Sequence, residues 1–214
     1  MTLFQTFIDI FLHLDKHLAL FMTHYGPSVY ILLFLIIFCE TGLVVTPFLP
    51  GDSLIFASGA LAATGIISWG ALPMFIVAAI TGNMLNYQIG RFLSERVRSR
   101  TKMRFIKQEY LDRTQAFFDK HGGATIIITR FMPILRTFSP FVAGVGEMPY
   151  RRFVLFNTIG GTAWATVFFL IGDLFGNVPF VKTHFSVIVI AIVAVSLVPA
   201  VIAFFKGRTA PKKH

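Results

Sequence analysis

At 214 residues, 55% hydrophobic and only 14% charged, with 25 phenylalanines and a mean hydropathy of +0.73, the chain is far from the soluble norm of roughly 25% charged residues and reads as one polytopic membrane domain with no separate soluble part. Its single cysteine, Cys39, excludes an internal disulfide and a cysteine metal cluster; we read it as a small apolar packing residue. The net charge of +9 is concentrated between Arg91 and Lys120 and in Lys206, Arg208, Lys212 and Lys213, a positive-inside pattern rather than a nucleic-acid surface, which places both segments on the cytoplasmic side against anionic lipid headgroups.

The chain opens at Met1 to Phe7 without a basic region or a small-residue cleavage site, so a removable signal peptide is not expected. Residues 1–25 follow as an amphipathic interfacial helix, with a tilted span as the rival: His13, Lys16 and His17 share one face by their i, i+3, i+4 spacing. Tyr30 to Val45 is a strongly apolar helix expected to end at Pro47 and Pro50. The next apolar arm, Ser53 to Ala63, reaches only ~16 Å at 1.5 Å per residue, about half of the ~30 Å hydrocarbon core. The chain is therefore expected to turn near Thr46 to Gly51 and go back, making a re-entrant hairpin over about 28–65.

Trp69 to Leu93 is long enough to cross and ends in the basic segment, where Phe105 to Lys120 reads as a surface helix. After His121-Gly122-Gly123, two more short arms follow, Ala124 to Met132 and Leu135 to Val145, with breaks expected at Pro133 and Pro140. These make a second hairpin over about 122–146, entering from the cytoplasmic side. Phe153 to Phe175 and Phe185 to Phe205 are two further spans; residues 26–176 form the core, 177–205 a C-terminal transmembrane helix and 206–214 a basic cytoplasmic tail. The expected fold is all-α and polytopic, with two oppositely inserted hairpins in an inverted repeat whose tips meet near the midplane, an arrangement that secondary transporters use for substrate sites.

Four charges stand out against this background. Between Pro27 and Gly90 the only ionisable groups besides Cys39, Tyr30 and Tyr87 are Glu40 and Asp52, and between Ala124 and Gly146 the only charges are Arg130 and Arg136. A charge at bilayer depth costs roughly 2.5–3.5 kcal/mol, so the four are expected to pair, to face water or to hold a ligand. Asp52 follows Pro50-Gly51 and suits a helix N-cap, whereas Glu40 lies within a helix of Ile, Leu and Phe and calls for a partner. Arg130 and Arg136 flank Pro133 and can converge; their planar forks suit a phosphate, and the plainer alternative is that they only neutralise the two acids. Asn83, Asn86, Gln88 and Tyr87 are expected either to line the same cavity or to tie helices together. Trp164 is read as packing, and Gly122, Gly144, Gly160 and Gly161 as turns or close helix contacts. No phosphate-binding glycine loop, metal-spaced ligand set or nucleophile elbow is present in the sequence, so neither a metal, a cofactor nor an enzymatic role is expected.

Several motifs together resemble the DedA family of membrane proteins, which carry the VTT (SNARE-associated) domain. They are Glu40-Thr41-Gly42, Pro47-Phe48-Leu49-Pro50-Gly51-Asp52, Lys120-His121-Gly122, Arg130-Phe131-Met132-Pro133-Ile134-Leu135-Arg136, Pro140, Ala143-Gly144, Asn157, Gly160 and Trp164. The resemblance implies facing re-entrant hairpins in a bacterial cytoplasmic membrane and lipid translocation linked to the proton motive force. The implied substrate is undecaprenyl phosphate or a similar polyprenyl phosphate. It also implies headgroup binding at Arg130 and Arg136 and proton coupling or charge pairing at Glu40 and Asp52. One departure is Asn83, where the family usually carries Asp, and an amide cannot carry a proton. The rival expectations are a proton-coupled transporter of a small soluble ion or drug and a non-transport membrane scaffold; a homo-oligomer is compatible with all three.

Overall fold

The computed structural model describes residues 14–43, 51–99, 122–179 and 187–188, as helices joined by short turns. In chain order the helices are α1 (Leu14–Tyr25), α2 (Ser28–Gly42), α3 (Gly51–Ala63), α4 (Ala71–Ser99), α5 (Ala124–Thr129), α6 (Pro133–Val145) and α7 (Tyr150–Gly176). Residues 1–13, Pro47 and Pro50, the expected surface helix Phe105 to Lys120, most of the expected span from Phe185 and the basic tail lie outside the described residues.

Helix α2 stops at Gly42, short of the expected Val45, with Leu43 already extended. Gly42 and, beyond Leu43, the β-branched Val44, Val45 and Thr46 are weak helix formers, so propensity ends the helix before the prolines do. Helix α3 is buried along almost its whole length, from Gly51 to Ala62, as expected of a helix that is apolar all round. Helix α4 runs beyond Leu93 to Ser99, with an Arg91–Glu95 pair at 3.3 Å supporting its last turns.

Helix α5 ends at Thr129, earlier than the expected Met132, because Pro133 forces the residue before it out of helical backbone: Met132 is extended, with φ −116° and ψ 106°. The same proline then opens α6 at its first turn, where its missing N–H is harmless. Pro140, in contrast, is not a break. Helix α6 runs through it to Val145, because the proline φ is itself helical; the cost is the N–H that would have bonded the Arg136 carbonyl. Among the described residues α7 is the helix long and apolar enough to cross a membrane, while α2 and α3 are shorter apolar helices. Helix α4, with 29 residues, has the length, ~43 Å at 1.5 Å per residue, but carries Asn83, Asn86, Gln88 and a charged end.

The two short helices that follow the breaks pack in one and the same way. Helix α3 lies on α7 and α6 lies on α4, each through glycines that bring backbones together. A Cβ at Gly59 would strike the Phe169 carbonyl and one at Gly172 the Phe56 carbonyl; likewise Gly144 faces the Tyr87 carbonyl and Gly90 the Phe141 carbonyl. Both contacts therefore join an aromatic-x-x-Gly step on the short helix to another on the long one. Gly172→Leu is expected to destabilise by about 3 kcal/mol or more, since overpacking against backbone cannot relax as a side chain would. Gly70→Ala, which meets only Ser68 Oγ at 3.5 Å, is expected to have little effect; chaotrope unfolding in detergent compares the two.

Candidate functional site

Glu40 sits at the end of α2, Asp52 in the first turn of α3, Arg130 just past α5 and Arg136 in the first turns of α6. The packing above brings these four helix ends together and takes them out of solvent: Glu40 is 0%, Arg130 2%, Arg136 5% and Asp52 7% exposed. The four charges sum to zero, which is what burial at this depth demands.

They do not pair one to one. Arg136 holds both acids, its Nη2 donating to Glu40 Oε1 at 2.5 Å and its Nη1 to Asp52 Oδ1. Asp52 stands inside the first turn of α3 and not at the cap position before it, and its carboxylate ties the start of α3 to the start of α6. The other Glu40 oxygen, Oε2, lies against the first residue of α3, where a Cβ in place of Gly51 would overlap it. Any side chain at position 51 would push the carboxylate off Arg136.

Arg130 is held differently. Its Nη1 donates to Asn157 Oδ1 at 2.7 Å and lies 2.5 Å from the Asn83 amide. A guanidinium can only donate, so Asn83 presents its oxygen there and its nitrogen donates to the Thr41 carbonyl at 3.2 Å. Asn157 is fixed in turn by its Nδ2, which donates to the Ile80 carbonyl at 3.0 Å. Arg130 Nε and Nη2, although buried, have no hydrogen-bond partner among the described residues. Those two N–H groups form one straight edge of the guanidinium fork, the edge that takes two oxygens of a carboxylate or phosphate.

Trp164 closes the site from α7. Its ring is 0% exposed, its Nε1 donates to Asp52 Oδ1 at 2.8 Å, and its face lies 4.9 Å from Arg136 Cζ and 5.5 Å from Arg130 Cζ. The remaining polar candidates divide. Asn86 Nδ2 donates to the Thr41 carbonyl at 3.1 Å and the Thr137 carbonyl at 2.8 Å, strapping α2 and α6 to α4. Tyr87 instead donates to the Met148 carbonyl and stacks on Phe153 at 4.4 Å, in a second core with Ile126 and Ala143 that secures the turn between α6 and α7. Gln88 is exposed. Trp164 and Asn157 escape a reading based on isolated charges. The signal for them is a stripe on α7, with Asn157, Gly160, Gly161 and Trp164 at i, i+3, i+4 and i+7.

Comparison with known proteins agrees with this arrangement of motifs. The VTT domain family model matches residues 49–174. Protein DedA of Escherichia coli strain K12 is 46% identical over 213 residues, covering 98% of this chain and 97% of its own. An uncharacterized membrane protein of Mycobacterium leprae is 43% identical over 173 residues, covering 80% and 78% of the two chains. Inner membrane protein YghB of Escherichia coli strain K12 is 35% identical over 179 residues, covering 82% of each. No solved structure matches. With motifs, family model and near full-length relatives in agreement, the chain is an all-helical membrane protein of the VTT-domain, or DedA, family.

Proposed function

We propose that this protein is a lipid translocase of the bacterial inner membrane that carries a polyprenyl phosphate, with undecaprenyl phosphate as the expected substrate, and that it draws on the proton motive force. It is a transporter in this reading and not an enzyme. The observation that carries the proposal is the open Nε–Nη2 edge of Arg130, buried beside a charge-neutral cluster and held in orientation by Asn83 and Asn157. A buried guanidinium edge without acceptors is costly to leave unfilled; a phosphate supplies two oxygens in the matching geometry.

The packing of the short helices supports a two-fold reading of the membrane topology. Helices α2, α3 and α4 repeat as α5, α6 and α7, each half lending its short second helix to the long helix of the other. In our reading each half inserts one re-entrant hairpin, from opposite faces of the bilayer, and the breaks meet at the four charges. The headgroup then sits near the midplane while the polyprenyl tail stays in lipid, against outward apolar residues such as Leu135, Phe138 and Ile159.

A phosphate carries a charge of about −1.5 to −2 at neutral pH, and moving it inward works against the membrane potential by about 2.3 kcal/mol per charge per 100 mV. When its oxygens draw Arg136 away from Glu40, the carboxylate left behind in an apolar setting must be neutralised or hydrated. A proton taken up at Glu40 offsets the charge being moved and couples transport to the proton gradient. Asn83 supports placing that coupling on Glu40, because the amide has no proton to exchange. Glu40→Gln is accordingly expected to keep only the pH dependence that the phosphate's own second ionisation, near pH 6, imposes on the rate; a variant that keeps the full wild-type pH profile would contradict the scheme.

Binding separates this reading from its rivals. In detergent, a polyprenyl phosphate is expected to raise the unfolding temperature of the wild type in a saturable way, and the matching polyprenol is not. Equal protection by free inorganic phosphate would favour a soluble-anion transporter, and protection by neither would favour a scaffold.

A further inference from the structure

Trp164 touches three of the four buried charges and has no part in the scheme above. We propose that its indole is the positioning residue of the headgroup site, with the ring N–H holding Asp52 and the ring face carrying both guanidiniums. This inference rests on the reading of Arg130 as the phosphate ligand.

Two buried guanidiniums close together repel each other, and Arg130 has no carboxylate partner among the described residues to relieve this. What it has instead is the Trp164 face at 5.5 Å, with Arg136 at 4.9 Å from the same ring. Indole is the best of the aromatic rings for holding a cation. The ring is itself fixed: its N–H donates to Asp52 Oδ1 at 2.8 Å, on the oxygen that also takes Arg136 Nη1, and Phe168 packs beside it at 6.1 Å. One turn earlier on α7, a Cβ at Gly161 would stand 3.1 Å from Arg130 Nη2 and one at Gly160 3.5 Å from Arg130 Cδ. The stripe Asn157, Gly160, Gly161, Trp164 is thus a cradle that fits the Arg130 side chain along its length. Because the indole takes the π-face and Asn83 and Asn157 take Nη1, the Nε–Nη2 edge is oriented before any ligand arrives. Preorganisation of this kind raises affinity without adding a contact to the ligand.

The chain has two tryptophans, and Trp69, half exposed and edge-on to Phe169 at 5.5 Å, is outside the site. Full-length Trp69→Phe protein in detergent therefore reports Trp164 alone. Its emission is expected to change saturably with farnesyl phosphate and not with farnesol. Adding Arg130→Met is expected to shift the emission before any ligand is present and to abolish the response. By calorimetry, Trp164→Phe, which keeps a ring face but loses the N–H, is expected to bind farnesyl phosphate about threefold more weakly, and Trp164→Leu tenfold or more, within the range of a cation–π contact plus a hydrogen bond. A folded Trp164→Leu that binds as the wild type does would reduce the ring to packing, as would an emission indifferent to Arg130→Met. Should the leucine variant not fold, the phenylalanine variant and the ligand-free emission decide. Wild-type protein that binds no farnesyl phosphate would overturn the headgroup reading, while the ligand-free emission would still tell whether the ring carries the guanidiniums.

Discussion

Arg130→Lys is expected to lose about 100-fold or more in lipid movement while folding as the wild type does. Lysine keeps the charge, so a site that needed only a cation would tolerate it. Arg130, however, uses its fork in two directions, Nη1 toward Asn83 and Asn157 and Nε–Nη2 along the edge that has no partner among the described residues, and an ammonium cannot do both. Hydrogen bonds to charged groups contribute about 1.5–3 kcal/mol each, so losing the two-oxygen contact is worth roughly a factor of 100 at 1.4 kcal/mol per tenfold. Stability is expected to change little in the lysine variant, whose ammonium keeps the buried cluster neutral, and to fall in the alanine variant, which leaves a net negative charge beside Glu40 and Asp52 and a cavity where a large buried side chain stood. Transport and chaotrope unfolding measured on the same preparations separate the two effects.

Arg136→Ala is expected to behave in the opposite sense, destabilising by about 3–5 kcal/mol because it strands two buried carboxylates at once. Against a total stability of roughly 5–15 kcal/mol, that is enough to deplete the folded protein in the membrane. Restoring neutrality instead of the cation is expected to recover much of the loss. The fourfold replacement Arg130→Met, Arg136→Met, Glu40→Gln and Asp52→Asn removes the four charges together, and buried ion pairs exchanged for neutral groups are often no less stable. That protein is expected to fold and not to transport. If Arg136→Ala instead unfolds like the wild type, the bridge to Glu40 and Asp52 is not what joins the breaks.

The four charges were legible because each is an isolated ionisable residue in an apolar run, and their convergence followed from the need to neutralise them. What the sequence leaves open is how they divide. Both arginines flank Pro133 symmetrically, and nothing in their spacing says that Arg136 takes both acids while Arg130 takes two amides; that depends on which face of α7 meets α5. The helix limits show a similar split. Pro133 could be placed because it acts on its neighbour Met132, but Pro140 looks like a break in one dimension and is tolerated in three. Helix α2 ended before its prolines because Gly42 and three β-branched residues act first. Asn157 and Trp164 stood among the family's motif residues, but their contacts were not legible: a tryptophan and an asparagine in a long apolar helix fit packing and helix–helix hydrogen bonding equally well. Their places in the site are set by contacts with Asp52, 112 residues away, and with Arg130, 27 residues away.

The central claim is that the buried, half-open guanidinium of Arg130 receives a lipid phosphate and that the protein carries it across the bilayer. The most direct test is the movement of undecaprenyl phosphate across proteoliposomes under an imposed proton gradient, for the wild type and for Arg130→Ala of confirmed fold. Movement in the wild type that falls to the protein-free rate in the variant is the predicted result; movement that persists in the variant, or is missing in a folded wild type, would contradict it.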